Sequence, residues 1–369
     1  MWQARPWLIG GPAMDVSLCV ASKIDDIDYV VRAEELGYRA AWFADSQMIW
    51  SDAYACLALA ATRTSAMRLG TGVSVVGTRI APVTAASIGT INRLAPGRTF
   101  LSIGNGNTAW RLMGHKPMTL AAFEDYVRVV RSLLDGKPTE FTSRGRTTEI
   151  KFEMAELGYL DLDHHIPIYI SGFGPRAQAM AGKYGDGLVT SIPNSPSFFQ
   201  HIWANVVAGA DEVGRKVDPS DFPTCSLTAA CVLRYGEDLR SDRVIDTLGS
   251  LVIGGFHYAY DNVRNYGGPV PGHLANDWEE YVALVEQTPE RQRHSRIHVG
   301  HCTWLDPAER KFVTPARIQA SCLVGSGAEI IEQLEAMDAA GLTEVMLLPS
   351  LDKQYEALED VGREVLAKL

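Results

Sequence analysis

Three short clusters carry groups that could do chemistry. Gly172-Phe173-Gly174-Pro175-Arg176 follows one apolar run and opens an amphipathic one. Glycines after a strand leave backbone N–H groups free to face an anion at the next helix start, and Arg176 would add charge, so the cluster suits a phosphate. An ordinary glycine-rich turn with Pro175 at the first helical position explains the same residues. Gly104-Asn105-Gly106-Asn107 has a similar make-up. Gly and Asn tolerate positive φ, so a tight turn alone explains it, and the third glycine and acidic partner of a dinucleotide fingerprint are missing. Asp45 directly follows the apolar run Ala40–Ala44. It could bond a ligand, orient a proton donor, or cap the next segment.

Other candidates are weaker. His298 and His301 stand three apart with Cys302 beside them, but acidic partners at helical spacing are missing, and no metal is expected. His164-His165 precedes a strand rather than following one, so it reads as a solvated loop. The Gly-x-Ser-x-Gly elbow of acyl transfer is absent. Trp50, Trp110, Phe173 and His257 could line a pocket or simply pack.

The elements that must position these groups follow an alternating pattern. Strands are expected at 16–20, 40–44, 68–76, 98–103, 166–171, 187–192, 224–233 and 344–348. Amphipathic helices are expected at 25–36, 53–63, 82–94, 120–134, 175–184, 197–213, 328–340 and 354–366. Short strands alternating with helices imply parallel pairing, and eight such units favour a closed α/β TIM (β/α)8 barrel over an open sheet. In such a barrel the working residues lie at the C-terminal strand ends. Here those ends are rich in Gly and small polar groups, which suits a large planar ligand laid against the backbone. Two stretches break the alternation, at about 137–165 and 249–321. Both read as insertions on a single domain spanning 1–369, and the longer one as a lid or binding loop.

Composition narrows the partners. The 369 residues are 46% apolar and 21% charged, an ordinary globular balance. With 34 basic and 44 acidic residues the net charge is −10, which disfavours nucleic acid. No uncharged apolar run reaches the ~18 residues of a membrane span. Met1 to Pro12 lacks the apolar core of a secretory leader. The six cysteines are scattered, as in a reduced cytoplasmic protein.

In order, Gly37–Asp45, Arg68–Val73, Arg79–Ala85, Gly97–Asn107, Ile166–Pro175, Ala181–Leu188 and the closing Leu323–Leu348 resemble the bacterial luciferase-like family. The resemblance covers about 16–235 and 320–350. It implies a TIM barrel that binds FMN or the deazaflavin coenzyme F420 at the C-terminal strand ends. The two glycine clusters are most similar to the F420 branch, which includes methylenetetrahydromethanopterin reductases and sugar-phosphate or alcohol dehydrogenases. That branch has a non-prolyl cis peptide after strand three, here at Gly72–Val73. The resemblance places Asp45 and Asn107 near the ring, with Gly72, Val73, Ser74, Gly104, Asn105 and Gly106 around it. It places Gly172, Phe173, Gly174, Pro175, Arg176, Thr190 and Ser191 near the phosphate and tail. An anionic tail would need local positive charge, for which Arg79 and Arg176 are candidates.

The sequence departs from the family at two places. Ser46 stands where many deazaflavin dehydrogenases have His, and Asn107 stands where one branch has Glu. Both lose a titratable group, so the proton would come from water, from Asp45, or from an insertion residue such as His257 or Tyr258. The leading expectation is an oxidoreductase using reduced F420 for hydride transfer to or from a small organic substrate, as a homodimer. Alternatives are an FMN-dependent monooxygenase using reduced flavin and O₂, and a non-enzymatic flavin-binding barrel.

Overall fold

The computed structural model describes residues 14–191, 196–218 and 221–369. Eight parallel strands form its centre: Asp15–Val20, Ala40–Phe43, Arg68–Thr71 continued by Ser74–Val75, Thr99–Gly104, Ile168–Ser171, Gly187–Thr190, Thr224–Thr228 and Glu344–Leu347. The last strand pairs back onto the first, with Asp15 opposite Glu344 and Leu18 opposite Leu347. Leu69 opposite Thr99 joins the third strand to the fourth. The sheet is therefore closed, the barrel expected from the pattern.

Alternation along each strand builds two cores. Val16, Leu18, Val20, Leu101, Ile103 and Val345 face outward and pack with the helices. Cys19, Trp42, Phe100, Tyr169, Val189, Cys225 and Met346 face inward and fill the barrel. Trp42 lies 4.3 Å from the Phe100 ring and 5.1 Å from Tyr169. The floor is polar. Buried Glu344 accepts hydrogen bonds from Ser17 Oγ at 2.5 Å, Trp42 Nε1 at 2.9 Å and Arg68 Nη2 at 3.0 Å.

The helices start where their capping chemistry dictates. Asp52 accepts from the Tyr54 and Ala55 amides to open Ala53–Arg63. Ser326 and Glu329 form a reciprocal capping box at the start of Gly327–Ala339.

Three expectations change. The strand expected over 68–76 is interrupted at a cis Gly72–Val73 peptide. The strand expected over 224–233 stops at Thr228, and Ala230–Val232 pairs instead with Leu323–Gly325. The stretch over 249–321 is not a loop. Helices fill it, beginning at Asp242 ahead of its expected start, and Phe256, Tyr260, Trp278, Tyr281, Val285 and Phe312 give it an apolar cluster of its own. The 137–165 stretch holds an exposed hairpin, Thr139–Ser143 with Arg146–Ile150. It precedes the fifth strand and so sits at the end of the barrel opposite the strand C-termini. Ile192, expected to end the sixth strand, and Met1–Pro12 lie outside the described residues.

Candidate active site at the barrel mouth

Asp45 emerges from the second strand into a buried polar knot. Its Oδ2 accepts from Arg79 Nη1 at 2.7 Å, from the Val75 amide at 3.2 Å and from Ser74 Oγ at 3.4 Å. Its Oδ1 accepts from Gln47 Nε2 at 2.7 Å. Burial pushes the Asp45 carboxyl upward, and Arg79 and the Val75 amide oppose that. Arg79 also reaches Asp52 at 2.6 Å and lies 4.8 Å over the Tyr54 ring. It is thus committed to two carboxylates, not left to attract an anionic tail. Asp45 holds the strand beyond Gly72–Val73 in place. Ser74 is engaged too, 2.9 Å from Tyr54 Oη.

The fourth strand delivers Gly104 to Asn107. A Cβ on Gly104 would stand 2.7 Å from Val73 Cγ2, so this close approach needs glycine. Gly106 has φ 78° and turns the chain into the short helix Asn107–Leu112. Asn105 is half-buried at that turn. Asn107 Oδ1 accepts from Arg111 Nε at 2.7 Å, which leaves its Nδ2 without a partner among the described residues. Arg111 pairs with Asp261 of the insertion at 2.6 Å, both buried, and so ties this helix to the cover above it.

The fifth strand ends in Gly172-Phe173-Gly174. A Cβ on Gly174 would meet nothing within 4 Å, so open space lies at the start of the ten-residue helix Pro175–Tyr184. Arg176 is exposed on its first turn. Phe173, 54% exposed, faces Tyr258 of the insertion with ring centroids 6.2 Å apart. Thr190 is buried at the end of the sixth strand, and Ser191 Oγ donates to the Leu227 carbonyl at 3.2 Å. Backbone amides, open space and the exposed Arg176 guanidinium, without a partner among the described residues, fit a phosphate. The buried Gln47 Oε1, without a partner among the described residues, adds an unused acceptor at the mouth.

His257 sits inside the insertion, 2% exposed, with Nε2 3.3 Å from both Glu309 oxygens. It is absent from the lining of a cavity at the barrel mouth. That cavity, about 300 Å³, lies between the strand ends carrying Ser22, Trp50 and Leu351 and the insertion segment 298–304. Trp304, Lys23, His298 and His301 complete it. The segment docks firmly. Thr303 Oγ1 accepts from Trp50 Nε1 at 3.2 Å, the Leu351 amide donates to the Thr303 carbonyl at 2.7 Å, and Cys302 joins the barrel's inner core. Thr108 Oγ1, 3.5 Å from His301 Nε2, links the cavity to the glycine rim.

Sequence reasoning brought Asp45, the glycine rim and Trp50 to this mouth. Trp110 instead packs against Gly77 and Gly106, donating to the Val76 carbonyl at 2.9 Å. In sequence, the spacing of His298 and His301 suggests nothing beyond a metal pair. Among the described residues no group of three or more His, Cys, Asp or Glu converges to hold a metal ion. Their role shows only in their burial, which no local pattern announces.

A closed parallel barrel with a glycine-lined mouth under a helical cover defines a ligand-binding TIM barrel whose site lies at the strand C-termini. The chain belongs to the luciferase-like monooxygenase family, whose sequence profile matches residues 21–344. It is 26% identical over 354 residues to a 5,10-methylenetetrahydromethanopterin reductase of Archaeoglobus fulgidus, covering 94% of this chain and 96% of that protein. It is 28% identical over 228 residues to an F420-dependent hydroxymycolic acid dehydrogenase of Mycobacterium tuberculosis, covering 58% of this chain and 60% of that one. The fold matches the coenzyme F420 dependent tetrahydromethanopterin reductase of Methanopyrus kandleri with a TM-score of 0.70 at 20% identity, over 97% of this chain and 99% of that one.

Proposed function

We propose that this protein is an oxidoreductase that uses reduced coenzyme F420 for hydride transfer to or from a small organic substrate. What carries the reading is nearly full-length similarity to a reductase, in a chain whose barrel mouth is lined with glycine and small polar groups. When bound, the coenzyme supplies the hydride. The protein supplies position and shelter. Gly172 to Arg176 and Thr190 would hold the phosphate and tail, and Asn107 would lie near the ring. Arg79 fixes Asp45, and Asp45 fixes the strand segment on which Ser74 and Val75 lie. The Arg111–Asp261 pair holds the insertion over the mouth and limits water. Asp45 is a positioning residue in this reading, because each of its oxygens already has a donor. His257 is assigned no contact with the substrate, since its Nε2 is held by Glu309 inside the insertion.

The whole chain acts as one barrel domain. All six cysteines are free and buried, which suits a reducing cytoplasm, and no helix among the described residues is long and apolar enough to cross a membrane. A homodimer is part of the proposal. Leu59, Ile80 and Val83 are exposed on or beside the neighbouring helices Ala53–Arg63 and Ala81–Leu94 and offer it an apolar face.

The family's monooxygenase members favour a second reading, an FMN-dependent monooxygenase. Anaerobic titration separates the two. Tight binding of F420, with reduction of a carbonyl or imine substrate in the absence of O₂, is expected. Turnover only with reduced FMN and O₂ overturns the F420 reading.

A further inference from the structure

Two imidazoles face each other over the cavity with unused hydrogen-bonding capacity. His298 is 7% exposed, and neither of its ring nitrogens has a partner among the described residues. His301 Nδ1 is buried and likewise unpartnered, and its Nε2 has only the long contact to Thr108. The rings meet nearly edge-on, with centroids 5.3 Å apart and planes at 77°. Buried polar groups are ordinarily satisfied, so several idle atoms at one spot point to an absent partner. Both residues line the cavity, as do Trp50 and Trp304. The Trp50 and His301 ring centroids are 6.1 Å apart.

We infer that His298 and His301 are the substrate-binding residues of this site, holding by hydrogen bonds the heteroatom of an uncharged, flat, unsaturated compound that packs against Trp50 and Trp304. The inference rests on the oxidoreductase reading, which supplies the need for a reducible C=O or C=N bond. Charge selects the class. Burial holds both imidazoles unprotonated, lowered to about 2 for His298 and about 3 for His301, and the Arg111 guanidinium pushes His298 the same way. A neutral imidazole offers one N–H donor and one acceptor nitrogen and no charge to attract a carboxylate, and Lys23, the cation that also lines the cavity, is half-exposed and already lies 3.5 Å from Asp25. It can polarise a carbonyl or imine as a donor without being a strong acid. Thr108 follows Asn107 directly, so a compound held by His301 lies beside the residue assigned to the coenzyme ring.

The test uses the full chain, with ring nitrogens labelled by 15N-histidine, and three probes: benzaldehyde, 4-formylbenzoate and toluene. Benzaldehyde is expected to shift the ring resonances of His298 and His301. It should bind about tenfold more tightly than toluene or 4-formylbenzoate, the scale of one well-placed hydrogen bond. His298→Phe and His301→Phe should each remove most of that advantage, and His298→Asn should restore part of it. Should His298→Phe fail to fold, His298→Asn and the wild-type resonances decide. Unmoved rings, equal binding of benzaldehyde and toluene, tighter binding of the anion, or affinity unchanged in both Phe variants overturns the inference and leaves water as the partner of the two rings. F420 titration is read separately. Ring shifts in a protein that binds no F420 would sink the proposed function and leave this binding site standing.

Discussion

Arg79 donates to Asp45 at 2.7 Å from a loop 34 residues further along the chain, and this buried pair locks the third strand's continuation beneath the barrel mouth. Both side chains are well buried, with 16% and 3% exposure. Removing one partner of such a pair leaves an uncompensated charge.

Arg79→Met should therefore cost about 3 kcal/mol of stability at neutral pH, measured by urea unfolding. Burial already raises the Asp45 carboxyl, and without Arg79 it should rise further. A carboxyl with a raised folded-state pKa binds its proton more readily folded than unfolded, so its contribution is most favourable at low pH and is lost as pH rises through that pKa. The deficit of Arg79→Met should shrink between pH 8 and pH 5. A deficit that ignores pH would show that Asp45 is not the group left exposed.

Glu344→Gln tests the opposite end of the barrel. The carboxylate gathers Ser17, Trp42 and Arg68 at the floor, and the amide cannot balance Arg68. A loss of about 2–4 kcal/mol in chemical unfolding is expected. Coenzyme affinity should stay within about twofold, since effects at well-separated sites are independent. A large loss of affinity at full stability would contradict this separation of floor and mouth.

Much of the scaffold could be read from the chain. Apolar runs followed by amphipathic ones located all eight strands, because each βα unit carries its own local period. The glycine rim was legible for a similar reason, since Gly106 must adopt positive φ and Gly104 must admit Val73. The insertion had a weaker signal that was available: Trp278, Tyr281, Val282 and Val285 recur at helical spacing and are all buried. Arg79–Asp45, Arg111–Asp261 and the His298–His301 pocket were not legible. Their meaning depends on tertiary contacts and burial, and a titratable residue looks the same in sequence whether it is paired, idle or solvated.

Asp261→Asn probes the tie between insertion and rim. Arg111 would keep its bond to Asn107 and lose its charged partner above. Local opening of the insertion should become about tenfold more frequent or greater, measured as the rate of limited proteolysis within 242–321. Activity should fall in the same variant. Unchanged cleavage with lost activity would instead make Asp261 a substrate contact.

Arg176→Glu addresses the anion site. The side chain is exposed, so stability should hardly change. F420 affinity should fall about tenfold or more, because a charge-assisted contact is replaced by repulsion at a helix start. The loss should diminish at high salt. Equal affinity in wild type and variant would move the phosphate elsewhere on the rim.

The buried histidines give the protein a specific acid sensitivity. His298 and His301 are held neutral in the fold, near 2 and 3, against 6.5 for an exposed imidazole. Below pH 6.5 the unfolded chain therefore binds protons that the folded chain refuses. Stability is full above that pH and falls as pH drops toward the folded-state values. Each refused proton contributes a slope of about 1.4 kcal/mol per pH unit, so the pair should contribute up to about 3 kcal/mol between pH 6 and pH 5. Unfolding free energies measured from pH 7 to pH 4.5 should show a clearly shallower decline in the double variant His298→Leu, His301→Leu. Parallel curves for the two proteins would mean that the imidazoles are protonated, or solvated, in the folded state.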